Sequence, residues 1–484
     1  MVEVGIVESV KNYILTLGGL PSARLNDLIS NRNGSPRDEA GQRALVSSLD
    51  ENHLTALLLD EATIQPGETF YPEKEGICFP PVETLRGRII NPLGEPLDGR
   101  SPLPQTSQAL ALDEVAEGID ARELVQEQMV TGIAVVDTLL PIGKGQKEAI
   151  FGEPRSGKTT FIQDVIINQK NQEVTCLYAA VGRPEMDVKR LAQKLAAAES
   201  LSHTIIISAS PKEPIPLIGL TPTIAFALAN KIRRKGKDVL LIIDDMGTHA
   251  KILREIALLS GRIPGRESYP GDIFYQHAHL IEHGGNYHQE VGGGSLTLLP
   301  VMETGMGGLS YLLPTNLIAS TDGHLFFSST LHSQGQYPAI EVEKSVTRVG
   351  RQTQTKIQKE ISDRVRNALA DFEEFKTYSV FGAELSEETR SILKTGELIQ
   401  EILKQEPQEN IDLKIQILLL HLPFTALAQK LSPEGLRSHR EEIIKTLKTT
   451  PGFRSLAVKL DSLESDEVIN LLNQESEVLE KCLN

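Results

Sequence analysis

The residues best placed to do chemistry are Gly152, Glu153, Pro154, Arg155, Ser156, Gly157, Lys158 and Thr159, which fit the pattern G-x-x-x-x-G-K-[ST]. In such a loop backbone N–H groups wrap phosphates, the lysine meets phosphate oxygens and the terminal hydroxyl meets Mg²⁺. The protein is therefore expected to bind ATP or ADP with Mg²⁺, using these residues and the adjoining Thr160, with Thr159 as the direct metal ligand. A run of strand-forming residues at 239–243 ends in Asp244-Asp245. A carboxylate at the end of a buried strand is the usual second support of a P-loop metal. Asp244 is the expected support, acting through water, with Asp245 as the alternate; the competing reading is an acidic pair that caps the next helix. The strand expected to lie beside the loop, 174–181, ends in Gly182-Arg183-Pro184. A guanidinium cannot take a proton at neutral pH, so binding without turnover is expected. Glu185, two positions on, is the one candidate for a displaced base.

These residues need elements to hold them. Phe161, Ile162, Val165 and Ile166 recur at helical spacing directly after the loop, so the loop opens a helix whose N-terminus favours anions. Strands at 176–181, 204–208 and 239–243 alternate with helical patterns, the rhythm of a parallel sheet. The texture divides the sequence into 1–80, 81–358 and 359–484. The first has short alternating runs broken at Asn33-Gly34 and Gln65-Pro66-Gly67 and reads as a small antiparallel β-barrel. The second is the P-loop α/β domain. The third has few glycines and repeated helix starts at Ser386-Glu387-Glu388, Ser432-Pro433-Glu434 and Ser465-Asp466-Glu467, and reads as a helical bundle. The fold class is multidomain α/β.

Composition narrows the field. A formal net charge of -16 over 484 residues argues against a bulk electrostatic hold on nucleic acid or anionic lipid. Cys78, Cys176 and Cys482 share no short spacing, so neither a disulfide framework nor a thiolate metal site is indicated. No signal-peptide pattern opens the sequence, and the apolar stretch 415–428 is interrupted by His421 and Pro423. Membrane association is expected only through partners, without direct insertion. His277, His279 and His283 put two imidazoles one helical turn apart, yet no third ligand of the right kind accompanies them, so packing or solvent exposure is the expected role.

Longer segments carry a family resemblance. Residues 87–99 (GRIINPLGEPLDG), 131–133 (TGI), 141–146 (PIGKGQ), 264–272 (PGRESYPGD) and 314–323 (PTNLIASTDG) look like the rotary ATP synthase subunits. That family's plan is an antiparallel barrel, a RecA-like nucleotide domain and a C-terminal helical bundle. Within the family the sequence is most similar to the alpha subunit of the F-type enzyme. Ser345-Val346-Thr347-Arg348-Val349-Gly350 resembles the alpha segment that sends an arginine into the neighbouring catalytic site. The resemblance implies that Arg348 acts in trans on a beta subunit, that Ser345 positions it, and that the protein's own nucleotide is bound but not hydrolysed. It further implies an alternating hexameric ring of three alpha and three beta subunits around a gamma rotor shaft. The complex would be peripheral on the cytoplasmic face of a bacterial-type cell membrane, coupling ATP synthesis or hydrolysis to proton or sodium-ion transport.

The sequence departs from the family pattern at several places. Arg183 replaces the glutamate of beta and the glutamine of alpha subunits. Tyr337 stands where alpha subunits place arginine, and His332 where they place an aromatic ring. Of a glutamine pair at the base pocket only Gln405 matches, because Pro407 takes the second place. The resemblance carries Gln405 into the nucleotide-binding set, with base selectivity open. The barrel pattern starts at Val2, so the helix that joins alpha to the peripheral stalk is expected to be missing and the stalk to attach in an unusual way. Glu384-Leu385-Ser386-Glu387-Glu388 resembles the acidic lever of beta subunits, with a solvated helix cap as the other reading. Two rival classes remain: a self-sufficient hexameric ATPase, beta-like or of the export type, and an RNA-translocating ring. The missing acid disfavours the first and the acidic charge the second.

Overall fold

The computed structural model describes residues 3–31, 41–73, 75–104, 108–112, 114–305, 308–379 and 386–481. The Asn33-Gly34 turn, the start of the first strand at Val2, Glu384-Leu385 and Cys482 lie outside the described residues. The polypeptide divides into two compact units. One comprises Met1–Leu124, Lys144–Pro154 and Gln169–His324, the other Val125–Gly143, Arg155–Asn168 and Leu325–Asn484.

In the first unit, Gly5–Lys11, Ile14–Gly19, His53–Leu58, Arg43–Leu49, Leu28–Ser30 and Thr69–Pro72 close in that order into an antiparallel barrel. Alternation decides which residues face inward: Leu54, Ala56 and Leu58 of one strand are buried, as are Leu15 and Leu17 of its neighbour. Phe70 and Ile29 complete the same core. The first strand keeps Val7 inside while Ile6 stays 52% exposed, and its register shifts between Val7 and Ser9, where a bulge lets the strand curve.

The same unit holds a parallel sheet in the order Glu148–Gly152, Ser295–Glu303, Val239–Asp244, Thr175–Val181, Thr204–Ala209 and Ile89–Ile90. The expectation that 174–181 lies beside the loop strand is corrected here: Ser295–Glu303 takes that place, with Gly152 opposite Glu303. Between Glu148–Gly152 and the next strand in sequence, Thr175–Val181, two slots are left, which the later strands Ser295–Glu303 and Val239–Asp244 fill. Sequence order alone does not reveal such a skip. Thr175–Val181 and Val239–Asp244 are buried along their whole length, as strands covered on both faces require. Helix Ile215–Arg233 is long and apolar enough to cross a membrane by length and composition, but 72% of its apolar window is buried inside the fold and Pro222 lies within it. It is a core helix.

The second unit is mostly helical. Lys356–Ser379 and Glu387–Leu403 pack so closely that a Cβ on Gly396 would stand 2.3 Å from the Phe372 ring. Leu413–His421 passes into 3₁₀ turns at Leu422–Phe424 and Ala426–Gln429 where Pro423 withdraws a donor. Ser386 and Ser432 cap their helices as expected. At 465 the cap is instead Glu464, in a reciprocal box with Glu467, because the Ser465 hydroxyl is taken up by Arg364 and His421.

Candidate functional site

The loop keeps its phosphate-gripping shape through local geometry. Arg155 and Gly157 have φ of 61° and 90°, the left-handed values that turn successive N–H groups to one side. A side chain at 157 would be strained by that φ and would also meet the His332 ring at 3.2 Å. Helix Lys158–Asn168 follows at once, with Phe161, Ile162, Val165 and Ile166 buried as their spacing predicts. Lys158 lies 6% exposed, its Nζ 3.3 Å from Ser156 Oγ, while Thr159 faces solvent and Thr160 is half-buried. Glu153, Pro154 and Arg155 are exposed.

At the carboxyl edge of the sheet the acids expected to serve a metal have other partners. Asp244 accepts from the Tyr178 hydroxyl at 2.5 Å and from an Arg183 guanidinium nitrogen. Burial works against the Arg183 charge, but Asp244, with Asp245 and Tyr178 behind it, outweighs that and holds the guanidinium above its ordinary range. Burial, and then the Asp244 charge, likewise push the Tyr178 phenol up. Asp245 caps helix Met246–Leu259 through Thr248 N at 2.5 Å, the role the competing reading assigned to the pair. Glu185 lies in the first turn of Glu185–Ala197, exposed and 3.4 Å from Lys212. The donor set thus fits Mg²⁺ only in part. Thr159 offers an open hard oxygen, but a cation already neutralises the carboxylate meant to support the metal.

Gln405 is 4% exposed and committed to backbone. Its Oε1 accepts from Ala134 N at 2.5 Å, and its Nε2 donates to Gly132 O at 2.9 Å and Glu409 O at 2.7 Å. Its own N–H donates to Tyr337 O at 2.8 Å. The Tyr337 hydroxyl donates at 2.5 Å to Asp164 on the loop helix, whose other oxygen accepts from Gln408 N at 3.1 Å. Burial, then Asp164, raise the Tyr337 phenol. These side chains hold the pocket's backbone together rather than presenting polar groups to a base.

Arg348 is built differently. It follows the short strand Val346–Thr347 and is exposed, and among the described residues no hydrogen bond or ion pair engages it. Both flanks are pinned. Ser345 Oγ donates to Glu341 O at 2.7 Å and accepts from Phe326 N at 3.0 Å; Thr347 Oγ1 donates to Pro141 O at 2.8 Å. Gly350 packs so tightly that a Cβ there would fall 1.6 Å from Pro141 O. Arg351, by contrast, spends its guanidinium on both oxygens of Asp363 at 2.7 Å.

The models of two families match. Residues 132–347 match the nucleotide-binding domain of the ATP synthase alpha/beta family, and residues 354–475 match the C-terminal domain of the same alpha and beta subunits. An ATP synthase subunit alpha of Lactobacillus helveticus is 36% identical over 420 residues, covering 87% of this protein and 82% of that one. Those of Mycoplasma pneumoniae and Macrococcus caseolyticus are 38% and 37% identical, covering 83% and 87% of this protein and 76% and 82% of theirs. The chain belongs to the F-type ATP synthase alpha-subunit family. The family model covering the loop is that of a nucleotide-binding domain, in agreement with the phosphate grip.

Sequence reasoning missed three residues that engage the ones it named: Tyr178 donates to Asp244, Asp164 accepts from Tyr337, and Glu303 lies 3.9 Å from Arg183. Tyr178 lies inside a strand and Asp164 inside a helix, where neither spacing nor motif marks them; Glu303 ends the strand actually adjacent to the loop and was hidden by the strand skip. The histidines at 277–283 belong to packing. His277 stacks on His249, with Nε2 3.3 Å from Nδ1, and the described residues contain no group of three or more candidate metal ligands. Burial lowers His249 and His283 to about 4 and His277, with His249 beside it, to about 3. The unfolded state then takes up protons the fold refuses, so the stability these groups give is complete above pH 6.5 and is lost as the pH falls toward 4. Urea unfolding at pH 5 should show a loss of about 2 kcal/mol per buried histidine relative to pH 7, and His277→Gln should make the decline shallower.

Proposed function

We propose that this protein is the non-catalytic, nucleotide-binding subunit of a rotary ATP synthase and that Arg348 completes the catalytic centre of an adjacent beta subunit. The observation that carries the reading is the contrast between two arginines. Arg183 is closed on Asp244, whereas Arg348 is held outward on a pinned segment without a partner among the described residues.

In the subunit's own site the backbone N–H groups of 152–159, Pro154 excepted, and the Lys158 ammonium bind the phosphates, with Thr159 and Thr160 opening the helix beneath them. Gln405 acts as a positioning residue that fixes Gly132–Ala134 and Tyr337. The two acids that could take a proton from water are each held by a cation: Glu185 is turned to Lys212 and Asp244 to Arg183. The nucleotide stays bound and intact. In the beta site, water attacks the terminal phosphorus, the bond to the leaving oxygen breaks, and charge spreads over the three equatorial oxygens. The planar Arg348 fork donates two N–H groups to that charge, and Ser345 keeps the fork in place.

The functional parts are a barrel over 1–80, a nucleotide domain over 81–358 and a helical domain over 359–484. The subunit works with beta and gamma subunits in a membrane-associated complex. Purified alone, it is expected to bind ATP in a calorimeter and release no phosphate. Turnover should appear only when its beta and gamma partners are added. Robust turnover by the isolated subunit that disappears in Glu185→Gln would contradict this.

A further inference from the structure

We infer that the mostly helical unit carries a second ligand site, apart from the nucleotide loop, which takes an organic carboxylate with an apolar body onto Arg366. A cavity of about 420 Å³ lies wholly inside that unit, within the size range of small-molecule sites. Arg366, Leu369, Ala370 and Glu373 line it from Lys356–Ser379, at the i, i+3, i+4 and i+7 spacing that puts side chains on one helix face. Gln400 and Leu403, again three apart, line it from Glu387–Leu403. Pro338 and Ile340 line it from the segment that leads to Ser345. None of these residues belongs to the set expected to hold the nucleotide.

The walls are apolar and the cation among them is unanswered. Val135, Pro338 and Ile340 are buried, and Leu331, Leu369 and Leu403 half-buried. Arg366 is half-buried too. One of its terminal nitrogens donates to Leu139 O, while its other N–H groups meet no acceptor among the described residues, buried Nε included. Burial, and then Arg351, lower its guanidinium from the ordinary value; Asp363 opposes them, but Arg351 already holds both Asp363 oxygens at 2.7 Å. The acids that line the cavity are engaged elsewhere or face solvent. Glu341 lies 2.6 Å from Lys344, Glu373 accepts from Gln400 at 3.4 Å, and Glu343 is exposed. The charges that act on Arg366 are those of Arg351 and Asp363 alone. An arginine with unmade donors in an apolar cleft favours a carboxylate, which its planar fork can meet with two parallel bonds. The three glutamates repel a polyanion, so a singly charged ligand is selected over a phosphate ester.

Naphthoate and its neutral analogue naphthamide are the probes, titrated calorimetrically into the full-length protein. Naphthoate should bind about tenfold or more tightly than the amide, the difference a charge-assisted pair supplies. Its affinity should be the same with and without excess ATP. Arg366→Met, which keeps the side chain's length and removes its charge, should bring acid and amide to equal affinity. Ala370→Trp, which fills the cavity from an exposed helix position, should abolish binding of both. The comparison of acid with amide on the parent protein decides even if a variant fails to fold. No binding of naphthoate, or equal binding of acid and amide by the parent, overturns the inference. Displacement of naphthoate by ATP overturns it as well, since it places the probe on the nucleotide loop.

Discussion

Replacing Arg348 by alanine is expected to lower ATP hydrolysis by the assembled complex on the order of a thousandfold or more, the range over which an arginine supplied in trans acts. Assembly and nucleotide binding by this subunit should be unaffected, because no intramolecular bond of Arg348 is lost among the described residues. Arg348→Lys separates shape from charge. Lysine keeps the positive charge but replaces the two-pronged fork by a single ammonium, so it should recover only a minor part of the rate. Turnover of the complex, with size-exclusion chromatography to confirm assembly, checks both. Equal rates for parent and alanine variant would remove Arg348 from the reaction.

Gly350→Ala should damage both stability and turnover. The new methyl group would fall 1.6 Å from Pro141 O and 2.8 Å from Thr347 Oγ1, atoms that themselves form the bond pinning the segment. Backbone cannot yield to a clash of that depth without releasing Thr347, so a destabilisation of about 3 kcal/mol is expected, at the upper end for overpacking. Since the displaced segment carries Arg348, turnover should fall with Tm. The pair of variants is diagnostic: Arg348→Ala lowers rate alone, whereas Gly350→Ala lowers rate and Tm together. An unchanged Tm in Gly350→Ala would contradict the packing described for this turn.

The sequence made the loop, its helix and the strand-end acids legible because each rests on local chemistry. Glycine at a left-handed φ, apolar residues at helical spacing and an acid after an apolar run are written in consecutive residues. What was not legible depends on crossings between distant segments. The strand beside the loop is Ser295–Glu303, whose place follows from a crossover that skips two positions. Arg183 is legible as a cation just past a strand end, but its closure on Asp244 requires knowing that Thr175–Val181 and Val239–Asp244 are neighbours. Gln405 is similar: two of its amide contacts lie 271 and 273 residues away along the sequence. The cap at Glu464 escaped because Ser465 obeys the usual preference in composition while its hydroxyl answers to His421 and Arg364.

The most direct measurement is a structure of the assembled complex with ADP and fluoroaluminate, which mimics the phosphoryl group in transfer. The analogue is expected on the beta subunit's loop, with the Arg348 guanidinium of this subunit at hydrogen-bonding distance, about 3 Å, from its fluorides. An analogue seated on this subunit's own 152–159 loop, or an Arg348 remote from the fluoroaluminate, would contradict the role assigned to that arginine.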